Sequence, residues 1–251
     1  MISKETLTEI AKMEGLKPYQ EEKKYIQMLV LKAMSNSTYL VFKGGTALFL
    51  LYGLNRFSED LDFTAVSGLD FPGLLKGISA SLQLMNVRNE TKEFDSISGF
   101  SGRIKAYGPL NSNERDACFV KIDISTREKI SLKSDLKEIN SNFSDLLPFS
   151  VQVMNEAEIL SEKIRAVITR NQARDVYDLY FLLKKGVKFD LSLSNKKLEY
   201  YKLKFSMELL DKSLERKKEI WKQELNPILI GKIPDFEDVK SLVIDKVKNN
   251  N

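Results

Sequence analysis

Ser58-Glu59-Asp60-Leu61-Asp62-Phe63-Thr64 is the stretch on which the reading of this chain turns. Alternation along an extended strand puts Asp60, Asp62 and Thr64 on one face and Leu61, Phe63 and Ala65 on the other. The apolar set can then face a core while two carboxylates share the opposite side. Their Cα atoms would lie about 7 Å apart, close enough for both to ligate one divalent ion and for one to bridge a second. By itself the pattern is equally that of an acidic strand facing solvent.

The neighbouring segments add context. Thr38 to Lys43 reads as a short strand that runs through Gly44-Gly45 straight into an apolar helix, Thr46 to Tyr52, which Gly53 ends. A Lys43-Gly44-Gly45-Thr46 turn of this kind aims backbone N–H groups and a helix N-terminus at whatever lies in front, as phosphate cradles do. A plain strand-to-helix turn also uses glycine. Downstream, Val120-Lys121-Ile122-Asp123-Ile124-Ser125 alternates so that Lys121, Asp123 and Ser125 share a face. If this strand lies beside the first, Asp123 is a third carboxylate, and the set suits phosphoryl or nucleotidyl transfer with two metals.

Further on, Lys163 shares a helical stripe with Ile159 and Val167, so it either follows a helix edge or reaches into a cleft, while Arg165 is turned away. Asp175 and Asp178 lie one turn apart, and Arg174 with Asp178 could form only an i, i+4 ion pair.

Composition narrows the chemistry. The chain has no histidine, which removes the commonest general base and transition-metal ligand. Carboxylates alone suit hard ions such as Mg²⁺ or Mn²⁺. The single cysteine, Cys118, can make no internal disulfide and is expected in the core. The net charge of +4 is uneven, because residues 184 to 251 carry 16 Lys and Arg against 11 Asp and Glu. Such a tail is either a solvated helical surface or a contact for a polyanion such as RNA. No apolar run reaches the length of a membrane span, and Met1-Ile2-Ser3-Lys4-Glu5 lacks a signal-peptide core, so a cytoplasmic protein is expected.

Residues 5 to 34 read as helical, and 66 to 83 as holding a helix. Strands are expected at 58 to 65, 84 to 90, 102 to 108, 117 to 125 and 149 to 153. From Asn155 the pattern is helical almost to the end, with Asn155 and Glu158 spaced as a capping box. The expected class is α+β: a mixed-sheet domain with an N-terminal helix over residues 1–154, then a mainly helical domain over 155–251.

Five blocks carry a resemblance: Phe42-Lys43-Gly44-Gly45-Thr46-Ala47-Leu48, Arg56-Phe57-Ser58-Glu59-Asp60-Leu61-Asp62-Phe63, Lys121-Ile122-Asp123, Ile159-Leu160-Ser161-Glu162-Lys163-Ile164-Arg165-Ala166 and Arg174-Asp175-Val176-Tyr177-Asp178-Leu179. Together they resemble the nucleotidyltransferase toxins of the AbiEii/AbiGii family, within the DNA-polymerase-β-like nucleotidyltransferase superfamily. The resemblance implies Mg²⁺-dependent use of an NTP, transfer onto tRNA in characterised relatives, and a cognate antitoxin. It implies that Gly44, Gly45 and Ser58 contact phosphate, with Lys43, Thr46 and Arg56 completing the NTP-binding set. Asp60 and Asp62 would bind metal, and Asp123 would complete that site or act as base. Lys163 would hold the triphosphate, and Asp175 with Asp178 would form the last pair, so that the helical domain contributes all three to the cleft. The superfamily's glycine-serine pair is here Gly44-Gly45, and the C-terminal 70 or so residues match nothing recognised. Transfer to a protein or small-molecule hydroxyl, or a non-catalytic nucleotide- or antitoxin-binding module, are the alternatives.

Overall fold

The alternation around Asp123 becomes an interior strand of a seven-stranded mixed sheet in the computed structural model, which describes residues 1–66 and 68–249 and, for Glu114, the backbone alone. In chain order the strands are β1 (Leu40–Lys43), β2 (Leu61–Ala65), β3 (Asn89–Phe94), β4 (Gly99–Ala106), β5 (Cys118–Ser125), β6 (Asp135–Ile139) and β7 (Phe149–Val153). Their spatial order is β3-β4-β5-β2-β1-β7-β6. Strand β2 runs antiparallel to β1 and parallel to β5.

Cys118, Val120, Ile122 and Ile124 of β5 are buried, as are Leu61 and Phe63 of β2, which leaves the aspartates on the opposite face. Burial pushes the Cys118 thiol up to about 12, consistent with a core role. Helices α1 (Lys4–Glu14), α2 (Pro18–Met34), α3 (Gly44–Tyr52) and α4 (Phe71–Leu84) belong to this part of the chain. Phe71 of α4 stacks on Phe100 of β4 at 5.2 Å, and a Cβ on Gly102 would come within 2.9 Å of the Phe71 ring.

Several boundaries differ from those read in the sequence. Residues 5 to 34 form two helices, because Gly15 takes a left-handed φ of 70° that caps α1 and Pro18 opens α2. The strand expected at 84 to 90 starts only at Asn89, since α4 continues to Leu84 and Asn86 turns the chain at φ 59°. Ser67, near the start of the expected 66 to 83 helix, lies outside the described residues. Strand β6 was not foreseen, and its sequence, Asp135-Leu136-Lys137-Glu138-Ile139, offers little apolar signal.

The chain divides into two compact units. The first holds the sheet and α1 to α4. The second comprises the chain from Met154 together with Leu54–Arg56 and Ser131–Lys133. Its helices are α5 (Glu156–Thr169), α6 (Ala173–Lys185), α7 (Leu191–Glu199), α8 (Met207–Glu215), α9 (Trp221–Leu225) and α10 (Phe236–Lys248). Helix α5 is buried all round from Glu158 to Ile168. Asn155 caps it by accepting the Ala157 N–H, but Glu158 does not close the box. Its carboxylate instead accepts the Ser131 and Leu132 backbone N–H groups and the Lys197 ammonium. That contact ties the 131–133 segment to the helical unit. Trp221 anchors the far side of this core, between Tyr177 at 6.3 Å and Phe236 at 5.5 Å.

Candidate active site

Ladder register aligns Lys43 of β1, Asp62 of β2, Asp123 of β5 and Ser101 of β4 at successive paired positions. Residues paired in this way share one sheet face, with neighbouring strands about 4.8 Å apart. Asp62 and Asp123 are half-buried side by side. Asp123 accepts the Ser101 hydroxyl at 2.7 Å and pairs with the Lys121 ammonium at 2.7 Å. The hydrogen bond to Asp123, with the charges of Asp123, Asp60 and Asp62, holds Lys121 above the ordinary lysine range. One ammonium thus feels all three aspartates.

Asp60 immediately precedes the first residue of β2. Among the described residues no group of three or more Asp, Glu or Cys side chains is spaced as a ready-made ion cage. The donor chemistry nevertheless fits a hard divalent cation: two carboxylates at paired positions, a third at the strand entrance, and no softer ligand on this row. The space beside Asp62 also depends on glycine. Gly44 has φ +78°, and a Cβ there would sit 2.5 Å from Asp62 Oδ2. Only glycine lets the turn approach this carboxylate without strain.

That turn starts α3, whose N-cap residue, Lys43, makes no side-chain capping bond. The first N–H groups of a helix, with the positive end of its dipole, suit an anion. Lys43 is buried and pairs with Glu128 at 3.4 Å. The Thr46 and Ser58 hydroxyls lie 2.9 Å apart, and Thr46 also donates to the Asp60 carbonyl. From the other side, buried Gln27 donates to the Ser58 and Glu59 carbonyls at 3.0 and 2.8 Å. The segment leading into the acidic strand is therefore fixed twice. Gln27, Ser101 and Glu128 went unread in the sequence, because each acts through a partner distant along the chain and forms no local motif.

Arg56, Lys163, Asp175 and Asp178 come together within the second unit. Arg56 grips Asp178 with two parallel bonds of 2.6 Å. Lys163 lies 2.6 Å from Asp178 and 3.0 Å from Asp175. Burial pushes both carboxyls up, but Arg56 and Lys163 outweigh it at Asp178, and Lys163 with Arg170 and Arg56 at Asp175, so both fall below the ordinary aspartate range. Two cations and two anions balance. Lys163 is 9% exposed, so it does not lie along a helix edge. The i, i+4 pair does not form either: Arg174 bonds to Gln172. Arg165 is not turned to solvent but is buried, donating to the Tyr201 hydroxyl at 3.2 Å.

The fold itself recurs in solved structures. MenT4, a nucleotidyltransferase toxin from Mycobacterium tuberculosis, matches with a TM-score of 0.70 at 16% identity, covering 98% of this chain and 89% of that one. JHP933 from Helicobacter pylori matches at 0.62 and 22% identity, covering 92% and 90%. These likenesses establish the nucleotidyltransferase fold. Comparison with curated proteins finds no match. Residues 30–242 match the family described as nucleotidyl transferase AbiEii toxin of type IV toxin–antitoxin systems, and the chain belongs to that family. It is a nucleotidyltransferase. Among the described residues no helix is long and apolar enough to cross a membrane.

Proposed function

We propose that this toxin-family enzyme transfers a nucleotide from an NTP to RNA, with tRNA as the leading acceptor and Mg²⁺ (or Mn²⁺) at Asp60, Asp62 and Asp123. The observation that carries the reading is the pairing of Asp62 with Asp123, with Gly44 packed against the Asp62 carboxylate. The cation would supply Lewis-acid charge to the triphosphate. The α3 amides at Gly44 and Gly45 and the Ser58 hydroxyl bind phosphate, with Thr46 orienting Ser58. Lys43, held by Glu128, completes the NTP-binding set, to which Arg56 contributes by fixing Asp178 beside Lys163. Asp123 accepts the acceptor hydroxyl's proton as its oxygen bonds to the α-phosphorus; the bond to the bridging oxygen breaks and pyrophosphate leaves. Lys163 holds the triphosphate, its ammonium fixed by Asp175 and Asp178. An antitoxin partner follows from the family, and NTP with RNA as substrates imply action in the cytoplasm.

Incubating the chain with each labelled NTP, Mg²⁺ and total RNA or lysate tests this reading. RNA should gain label, and Asp62→Ala should abolish the gain. Label on protein or a small molecule would move the acceptor to another hydroxyl class. NTP binding with no labelled product would leave a binding module. For Lys163, a charge-assisted contact of about 1.5 to 3 kcal/mol predicts NTP affinity falling roughly tenfold to a hundredfold in Lys163→Ala, with partial recovery in Lys163→Arg. Unchanged NTP affinity in a folded Lys163→Ala would make this lysine a purely structural staple.

A further inference from the structure

The sheet carries a charge pattern that its own stability does not explain. Lys92 of β3 pairs with Arg103 of β4, and Arg103 pairs with Lys121 of β5. Three cations thus stand at directly opposed positions on one face, where like charges weaken a ladder. Neither Lys92 nor Arg103 forms an ion pair among the described residues, although the neighbouring Lys105 has Glu90 at 3.1 Å. The opposite face of β4 packs on α4, so core packing does not require Arg103. Aromatic rings flank the row instead. The Arg103 guanidinium lies 5.4 Å from the Phe94 centroid and 4.8 Å from that of Phe119, and Lys92 lies 5.4 Å from Phe94. Phe119 is 41% exposed on a strand where its apolar neighbours are fully covered. At its inner end the row reaches Lys121, whose ammonium is bonded to Asp123.

From this juxtaposition we infer that the row Lys92–Arg103–Lys121, with Phe94 and Phe119, is the seat of a single-stranded RNA segment whose terminal hydroxyl is delivered to Asp123. The inference rests on the RNA-acceptor reading above and gives it a location. Backbone phosphates offset the mutual repulsion of the three cations, and an unpaired base stacks on Phe119, the combination by which single strands are held without sequence preference. A duplex would not offer its base faces to the rings. The row spans about 10 Å at its Cα atoms, which keeps the contacts local to the end of the strand.

The test is fluorescence anisotropy of a short labelled single-stranded RNA with the full chain over a salt series, alongside NTP binding. Arg103→Glu should weaken RNA binding at least tenfold and flatten its salt dependence, with NTP binding unchanged. Because the new carboxylate would stand between two lysines, this variant should fold. Phe119→Ala should weaken RNA binding about fivefold or more with the salt dependence retained. Lys212→Glu, on an exposed turn of α8, is the charge-matched control and should bind as the parent does. If the parent binds RNA and Arg103→Glu and Phe119→Ala match it, the row is not the seat, while RNA remains the acceptor. If the parent binds no RNA but transfers nucleotide to an acidic peptide or small hydroxyl compound, both the acceptor reading and this seat are overturned.

Discussion

The two charged clusters of this molecule solve opposite problems. In the helical unit Arg56, Lys163, Asp175 and Asp178 are buried, balanced two against two and joined by short bonds. On the sheet, Asp62 and Asp123 lie side by side and half-exposed, with Lys121 shared among acids and Gly44 crowded against one of them. The first arrangement spends its charges on each other. The second keeps charge in reserve for something that arrives later. A closed network should therefore govern stability along with the placing of Lys163, and an open acidic row should govern activity while adding little to the fold.

The most severe way to break this contrast is Asp178→Ala. It removes the carboxylate that pairs with both buried Arg56 and buried Lys163, and removing one partner of a buried pair costs about 3 to 5 kcal/mol. Urea unfolding measures it, and a loss below about 1 kcal/mol would mean that the network is not a staple. The next effect comes from another buried acid. Glu21 of α2 is raised to about 7, first by burial and then by Glu14, against the pull of Lys24, and its Oε2 has no hydrogen-bond partner. Its unfolded carboxyl ionises near 4.5, so the folded state loses stability as pH rises from about 4.5 to 7. Glu21→Gln should remove that loss, a gain on the order of 3 kcal/mol at most above pH 7 and nothing near pH 4. Asp175 and Asp178 have the reverse sign: their lowered values stabilise above about 3.8, and that contribution disappears as pH falls below it. Unfolding curves across pH 3 to 8 separate the two slopes, and a flat profile in Glu21→Gln and parent alike would refute the burial argument. The smallest stability effect belongs to Asp62→Ala, expected within about 0.5 kcal/mol of the parent or slightly stabilising, with transfer abolished. A variant that melts early would make Asp62 part of the scaffold rather than of the chemistry.

Legibility in the sequence followed the range of the interactions. The alternation of β2 and β5, the glycine turn and the helical half depend on residues a few positions apart, and they could be read directly. The facing of Asp62 and Asp123 needed a register between strands about 60 residues apart, for which local spacing gives no signal; only the resemblance connected them. Helix α5 misled for a different reason. Glu158 read as half of a capping box, Lys163 as following a helix edge or entering a cleft, and Arg165 as turned away, but each is buried against a specific partner: Lys197 for the glutamate, Asp175 and Asp178 for the lysine, and Tyr201 for the arginine. Periodicity cannot distinguish water from a buried counter-charge. Strand β6 was missed because an edge strand of charged and polar residues has no apolar alternation to detect.

The short Leu54–Arg56 segment, which belongs to the helical unit although the chain on either side of it belongs to the other, has a consequence for biosynthesis. Arg56 leaves the ribosome 122 residues before Asp178, the carboxylate that neutralises it. Until then its guanidinium must stay hydrated, and the helical unit cannot close around it. A fragment starting at Met154 would face the converse deficit, with Asp178 holding Lys163 but no arginine. The gene cannot be cut at the obvious boundary into two self-sufficient pieces, so a nascent toxin of this kind is complete only when most of its chain has been made.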